Sequence, residues 1–141
     1  AVSCAVFSPD GLCVVSSSFD GTAKVWDPEK EACIHTLRGH DGPVAGVAFA
    51  PDGSSLVTSS CDGTARIWSM RSGDCSQVLK GHKGEICSAA FSWDGATVIT
   101  GSEDATTKLW NTDTGKCLHS VKLSADGGQP GWVLSVAFSP V

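Results

Sequence analysis

His40, Thr58 and Asp62 bring an imidazole, a hydroxyl and a carboxylate into one short stretch of chain. In an enzyme such a set reads as base, nucleophile and orienting acid. The same three residue types return 42 residues later, as His82, Thr100 and Asp104. A catalyst has no need of one set per repeat, so the recurrence points to a structural task. Two other pairs carry potential chemistry. Cys33-x-His35 and Cys117-x-His119 place a thiol and an imidazole two residues apart, which an ideal strand puts on one face. Each pair offers two ligands on a separate outer strand, short of the four a structural zinc takes. There is no Cys-x-x-Cys pair and no glycine loop of the kind that cradles phosphate. No metal and no cofactor is expected.

The elements that position these residues repeat. Phe7, Phe49 and Phe91 are 42 residues apart, as are Trp26, Trp68 and Trp110, Asp20, Asp62 and Asp104, and Cys33, Cys75 and Cys117. Each repeat divides into four short apolar runs parted by turn signals such as Ser8-Pro9-Asp10-Gly11 and Asp20-Gly21. No stretch sustains a helical period, so the fold class is all-β. In the third run Ala23 and Val25 face one way and Trp26 the other. A four-stranded sheet that is apolar on both faces needs a neighbour on each, and radial stacking of such sheets supplies them. The next phenylalanine in phase is Phe138, 47 residues after Phe91, so five residues have been inserted there.

Composition sets the outer limits. Hydrophobic residues make up 41% of the 141 and charged residues 18%, a globular balance. The formal net charge is −5, and the ten basic residues form no run, so nucleic acid is not an expected partner. Seven cysteines is an odd number, which suggests buried free thiols in a reducing, intracellular setting, cytoplasmic or nuclear. No secretory signal and no apolar run long enough to span a bilayer is visible, so no membrane association is expected.

The markers Gly39-His40, Gly81-His82, Ala50-Pro51-Asp52-Gly53 and the tryptophan closing each third strand resemble the WD-repeat family of β-propellers over the whole chain. The dipeptide that names the family stands once, as Trp26-Asp27, and becomes Trp68-Ser69 and Trp110-Asn111. The resemblance implies blades of four antiparallel strands at about 2–38, 44–80 and 86–122. The first strand of a fourth blade is expected at 133–138, making a partial propeller. It also implies a hydrogen-bond tie in each blade, from tryptophan through a hydroxyl to histidine and aspartate. These ties are Ser16, Asp20 and Trp26; His40, Thr58, Asp62 and Trp68; and His82, Thr100, Asp104 and Trp110. A hydroxyl donates and accepts at once, so it can link an indole N–H to an imidazole.

By the same resemblance, partners bind the face carrying the histidine loops and aspartate turns. Its candidate residues are Phe19, Pro43, Ala45, Cys61, Glu85, Cys87, Glu103, Trp132 and Leu134. The implied function is a non-catalytic scaffold for other proteins or peptides. The alternatives are a substrate receptor of a ubiquitin ligase, suggested by Trp68-Ser69-Met70-Arg71, and a regulatory propeller attached to an enzyme. Three blades and a strand do not close a ring. The chain therefore reads as a fragment of a longer propeller, with self-assembly of several copies as the other route to closure.

Four places depart from the pattern. Asp104-Ala105 replaces Asp-Gly, which predicts a turn of another shape because alanine tolerates positive φ poorly. Trp93 stands where proline is expected, read as local packing of a loop. Leu123-Ser124 stands where Gly-His would recur. The loop Ala125-Asp126-Gly127-Gly128-Gln129-Pro130-Gly131-Trp132 is longer than its counterparts.

Overall fold

The computed structural model describes residues 1–123 and 131–140. Twelve strands form three four-stranded antiparallel sheets, each a simple meander. The first blade is β1 (Val2–Phe7), β2 (Val14–Ser18), β3 (Ala23–Asp27) and β4 (Ala32–Leu37). The second is β5 (Val44–Phe49), β6 (Ser55–Ser60), β7 (Ala65–Ser69) and β8 (Cys75–Leu79). The third is β9 (Ile86–Phe91), β10 (Thr97–Ser102), β11 (Thr106–Asn111) and β12 (Cys117–Lys122). No helix is present among the described residues, and so none long and apolar enough to cross a membrane. This is an all-β arrangement of propeller blades.

The strand period of two explains how the blades stack. One face of the first blade, with Val15, Ala23, Val25 and Leu37, packs on Val47, Leu56 and Trp68 of the second. The opposite face of the second, with Val57, Ala65, Ile67 and Leu79, packs on Ile86, Phe91, Val98 and Trp110 of the third. Every blade thus offers an aliphatic face forward and a tryptophan face backward. Trp68 and Trp110 are fully enclosed by these contacts. Trp26 has no described blade behind it and is half-buried, and Phe7 beside it is 69% exposed.

The turns joining second and third strands keep one shape. Gly21 and Gly63 sit at φ 86° and 82°, and Ala105 occupies the same left-handed region at φ 65°. Its amide reaches Ser102 O at 3.2 Å, as the Gly63 amide reaches Ser60 O at 3.2 Å. The expected change of turn shape therefore does not occur. The flanking ladder and the Asp104 bonds fix the backbone, and alanine takes the strain, of order 1–2 kcal/mol.

The fourth strands also depart from expectation. In the first blade Cys33 pairs with Trp26 but His35 pairs with Val25, so one residue is bulged between them. The same slip sets Cys117 opposite Trp110 and His119 opposite Leu109. Cross-strand partners point to the same side, so the thiol and the imidazole face opposite ways. The shared face expected for Cys33 with His35, and for Cys117 with His119, is thus corrected by a bulge. At each bulge a thiol donates to the carbonyl two residues on: Cys33 to His35 at 3.3 Å, Cys75 to Gln77 at 3.3 Å and Cys117 to His119 at 3.4 Å. All seven cysteines are free, but none is fully buried, and Cys33 and Cys117 are exposed on the outer strands. For Cys33 and Cys117 the expectation of buried thiols gives way because these bulges lie on the outer strands; the other five are half-buried.

Residues 131–140 lie against the forward face of the third blade. Val133 N–H donates to Ser102 O at 2.9 Å and Val136 N–H to Ser88 Oγ at 3.4 Å. Gly101 makes this seat, since a Cβ there would stand 2.6 Å from Val133 Cγ1. Residues 133–138 form no ladder, so the strand expected there is not realised; a strand needs a hydrogen-bonded neighbour, and none pairs with it among the described residues. Trp93 is 61% exposed, and its indole N–H donates to Ser139 O at 3.1 Å. Of the long loop, residues 125–130 lie outside the described residues, as does Ser124; Trp132 is described and exposed.

Candidate functional site

The side chains that could do chemistry are held between the second and third strands of each blade. Thr58 lies on β6 opposite Arg66, and Trp68 two residues on shares its face. The Trp68 indole N–H donates to Thr58 Oγ1 at 2.9 Å. Thr58 Oγ1 lies 2.7 Å from His40 Nε2, and His40 Nδ1 lies 2.8 Å from Asp62 Oδ2. The third blade repeats this with Trp110, Thr100, His82 and Asp104 at 2.8, 2.7 and 2.9 Å. In the first blade Ser16 accepts the Trp26 indole N–H at 2.9 Å.

These contacts fix the proton positions. Indole only donates, so the threonine oxygen accepts there and its own proton goes to Nε2. A carboxylate only accepts, so Nδ1 carries the ring proton. Asp62 takes further bonds from the Asp41 amide at 3.1 Å, the Thr64 amide at 2.8 Å and the Thr64 hydroxyl at 2.7 Å. Asp104 takes the matching set from Lys83 and Thr106. Thr64 and Thr106 were missed in the sequence, although Thr22, Thr64 and Thr106 share the 42-residue period. Thr58 and Thr100 have no exposed surface, and both capacities of each hydroxyl are in use. A nucleophile must reach its substrate, and these hydroxyls cannot.

Charge follows from the same geometry. Burial holds the His40 ring below its ordinary range, and the hydrogen bond to Asp62 only partly offsets this. His82 is lowered likewise by burial, against Asp104. Burial works against ionising Asp62 too, but the Thr64 hydroxyl, the His40 ring and the Thr64 amide outweigh it and hold the carboxyl at about 2. Asp104 is lowered for the same reasons. The ties are therefore built for neutral rings and ionised carboxylates. In the unfolded chain the rings protonate near 6.5, so below that pH the unfolded state binds more protons than the folded one. Stability should fall as pH drops below about 6.5, and fall further as the aspartates are titrated towards about 2. Thermal midpoints at pH 7, 6 and 5 check this; a flat profile would contradict the neutral-ring tie.

The residues expected on the binding face fall into three places. Within each blade the residue before the turn aspartate bonds back to the start of the first strand. Phe19 N–H donates to Ala1 O at 3.0 Å, Cys61 N–H to Pro43 O at 2.9 Å and Glu103 N–H to Glu85 O at 3.0 Å. Cys61, Glu85, Cys87 and Glu103 come together at the boundary of the second and third blades. Burial, then the Glu85 carboxylate beside it, push the Cys61 thiol up to about 11, and Cys87 and Glu103 act in the same direction. Burial followed by Glu103 and Glu85 raises Cys87 as well. Both sulfurs are thus neutral thiols rather than reactive thiolates. A cleft of about 270 Å³ opens beside them, lined by Cys61, Asp62, Gly63, His82, Lys83, Gly84 and Glu85. Pro43 and Ala45, which hold the positions of Glu85 and Cys87 in the second blade, do not line this cleft and are half-buried. Phe19 on the first blade, and Trp132 and Leu134 after the third, lie outside the cleft and are 57%, 64% and 65% exposed. Among the described residues no group of side chains is arranged to hold a metal.

Comparison with known proteins agrees with the geometry. Residues 1–27, 31–69 and 73–111 match the family profile described as "WD domain, G-beta repeat". Mouse F-box-like/WD repeat-containing protein TBL1X is 49% identical over 37 residues, 26% of this chain and 7% of that protein. Human pre-mRNA-processing factor 19 is 33% identical over 48 residues, 34% of this chain and 10% of that protein. WD repeat-containing protein pop1 of Schizosaccharomyces pombe is 49% identical over 37 residues, 26% and 5%. The matched stretches span a tenth or less of these relatives. Three profile matches in phase with three sheets leave one assignment: the chain belongs to the WD-domain, G-beta repeat family.

Proposed function

We propose that this chain is a non-catalytic scaffold that binds other proteins or peptides through the end bearing its histidine loops. The observation that carries the reading is the boundary cleft of the second and third blades. There the His–Thr–Asp ties set two rigid loops beside Cys61, Glu85, Cys87 and Glu103, leaving Glu85 exposed to a partner. Glutamates at the rim of a half-apolar cleft suit a partner segment with a basic side chain and an apolar neighbour. Phe19, Trp132 and Leu134 add exposed apolar surface of the kind that anchors interfaces. Family membership supports the coarser statement, since repeats of this family are generally interaction modules.

The test compares partner capture by the intact chain, by Glu85→Lys with Phe19→Asp, and by Leu12→Asp in the turn at the other end. The first variant is expected to lose captured partners at least about tenfold, the scale of one lost charge-assisted contact, while Leu12→Asp keeps them. Equal capture by all three would sink the reading. A second reading, substrate receptor of a ubiquitin ligase, has support from Trp68-Ser69-Met70-Arg71 and from the "F-box-like" in the name of one relative. The missing aspartate at Ser69 weighs against it.

A further inference from the structure

On the other side of the His82 loop from the Cys61 cleft lies a second opening, of about 260 Å³. It is lined by Gly81, Lys83, Asp104, Thr106, Lys108 and Lys122. Three of the chain's ten basic residues therefore meet in one place on a molecule whose net charge is −5. The ladder explains two of them: Lys122 pairs across from Thr106, and Lys108 from Ser120, so both stand on the tryptophan face of β11 and β12. Lys83 comes from the loop after His82, its amide fixed on Asp104 Oδ2 at 2.8 Å.

Asp104 offsets only one of these three charges. Its Oδ2 is taken by His82 and the Lys83 amide, and its Oδ1 by the Thr106 amide and hydroxyl. None of the three lysines is ion-paired among the described residues. Lys108 Nζ spends one donor on Ser120 Oγ at 2.9 Å, which leaves two and holds the ammonium in place. Three ammonium groups against one carboxylate leave two positive charges.

The second blade supplies an internal comparison. Lys108 and Lys122 recur there in register as Arg66 and Lys80, but Lys83 is replaced by Asp41. Two cations then face Asp41 and Asp62, and no surplus remains. Arg66 also folds over Gly39 and reaches Cys75 Sγ at 3.8 Å. The surplus is thus a property of the third blade rather than of the repeat.

We propose that this cleft binds the phosphoryl group of a phosphorylated serine or threonine on a partner polypeptide. A phosphoryl group carries close to two negative charges at neutral pH, which matches the surplus, and its oxygens accept from several donors at once. A polynucleotide fits less well. Its repeating charge would run from this cleft onto Glu85, Glu103 and Asp41 at the same end of the blades. The inference rests on the reading of the chain as a protein-binding module, but it uses a different cleft, which shares only Lys83 with the first.

The test titrates the full 141-residue chain with an uncharged pentapeptide containing one central phosphoserine. Its unphosphorylated form, inorganic phosphate and a short uridine oligonucleotide serve as comparisons, all followed by backbone amide shifts. Saturable shifts at Lys83, Asp104, Thr106, Lys108 and Lys122 are expected with the phosphopeptide and not with its plain form. Lys83→Asp, which installs the second blade's residue at an exposed site, should weaken binding at least about tenfold without moving the thermal midpoint. Lys122→Gln, also exposed, should weaken it in the same direction, and Lys24→Gln in the first blade should leave it unchanged. Full-strength binding by Lys83→Asp and Lys122→Gln would overturn the proposal. So would the absence of saturable binding, tighter binding of the oligonucleotide, or equal binding of inorganic phosphate. Loss of phosphopeptide binding in Lys122→Gln, which lines only this cleft, with partner capture intact at the Cys61 cleft would separate this site from the one proposed above.

Discussion

His82→Ala is expected to destabilise the chain by about 3 kcal/mol. The ring is enclosed and bridges Thr100 Oγ1 to Asp104. Its removal strands a hydroxyl with no exposed surface and takes a donor from a lowered carboxylate. Each unpaired buried group costs about 1–3 kcal/mol, more when charged. The cavity left by the ring adds to this. Thr100→Val should cost less alone, and the double variant less than the sum, because both changes break one chain of bonds. Urea unfolding of the four proteins measures the coupling. A loss under about 1 kcal/mol for His82→Ala would mean that the tie contributes little. Conversely, a hydrolytic activity that disappears with His82 while the urea midpoint holds would restore the catalytic reading of the triad.

Trp68→Ala should cost about 4 kcal/mol, whereas Trp26→Ala should cost about 1. Both indoles bond to a hydroxyl one strand away, at the same distance. They differ in what covers them. Trp68 is 2% exposed, pressed between β7 and the aliphatic face of the first blade. Trp26 is half-buried, with Lys24 Nζ 5.7 Å from its ring centroid. Removing Trp68 opens a hole at a blade interface; removing Trp26 trims a surface. Since a domain is stable by about 5–15 kcal/mol, the first change could unfold a large share of the chain. Equal midpoints for the two variants in urea would show that blade stacking is not what holds this fold.

Much of this was legible because it repeats. The 42-residue spacing of Trp26, Trp68 and Trp110 placed three third strands, and the apolar alternation within them showed that each sheet needs a neighbour on both faces. What escaped was local or convergent. The bulge that turns Cys33 away from His35 depends on how β4 meets β3, and no single strand encodes it. Ala105 holds a conformation its own chemistry disfavours, because Asp104 and the ladder around it decide the turn. The ten basic residues look scattered along the chain, yet Lys83, Lys108 and Lys122 come from three different elements and meet in one cleft. Residues 133–138 carry a strand's pattern, but among the described residues no strand pairs with them and no ladder forms. Gly101, which makes room for Val133, reads in sequence as an ordinary strand glycine.

Each blade turns an aliphatic face forward and a tryptophan face backward, and this has a consequence for how such a chain can change over generations. Whatever is duplicated or deleted in whole units of 42 residues leaves an aliphatic face meeting a tryptophan face at the new junction. Such a change needs no compensating substitution in the core, because the junction it creates is one the chain already contains. Changes of any other length put a strand out of phase and break the match. Length is thus free to drift in whole blades while sequence within a blade stays constrained. The exposed loops between strands, which carry Lys83 and Glu85, are where one blade can acquire a task its neighbours lack.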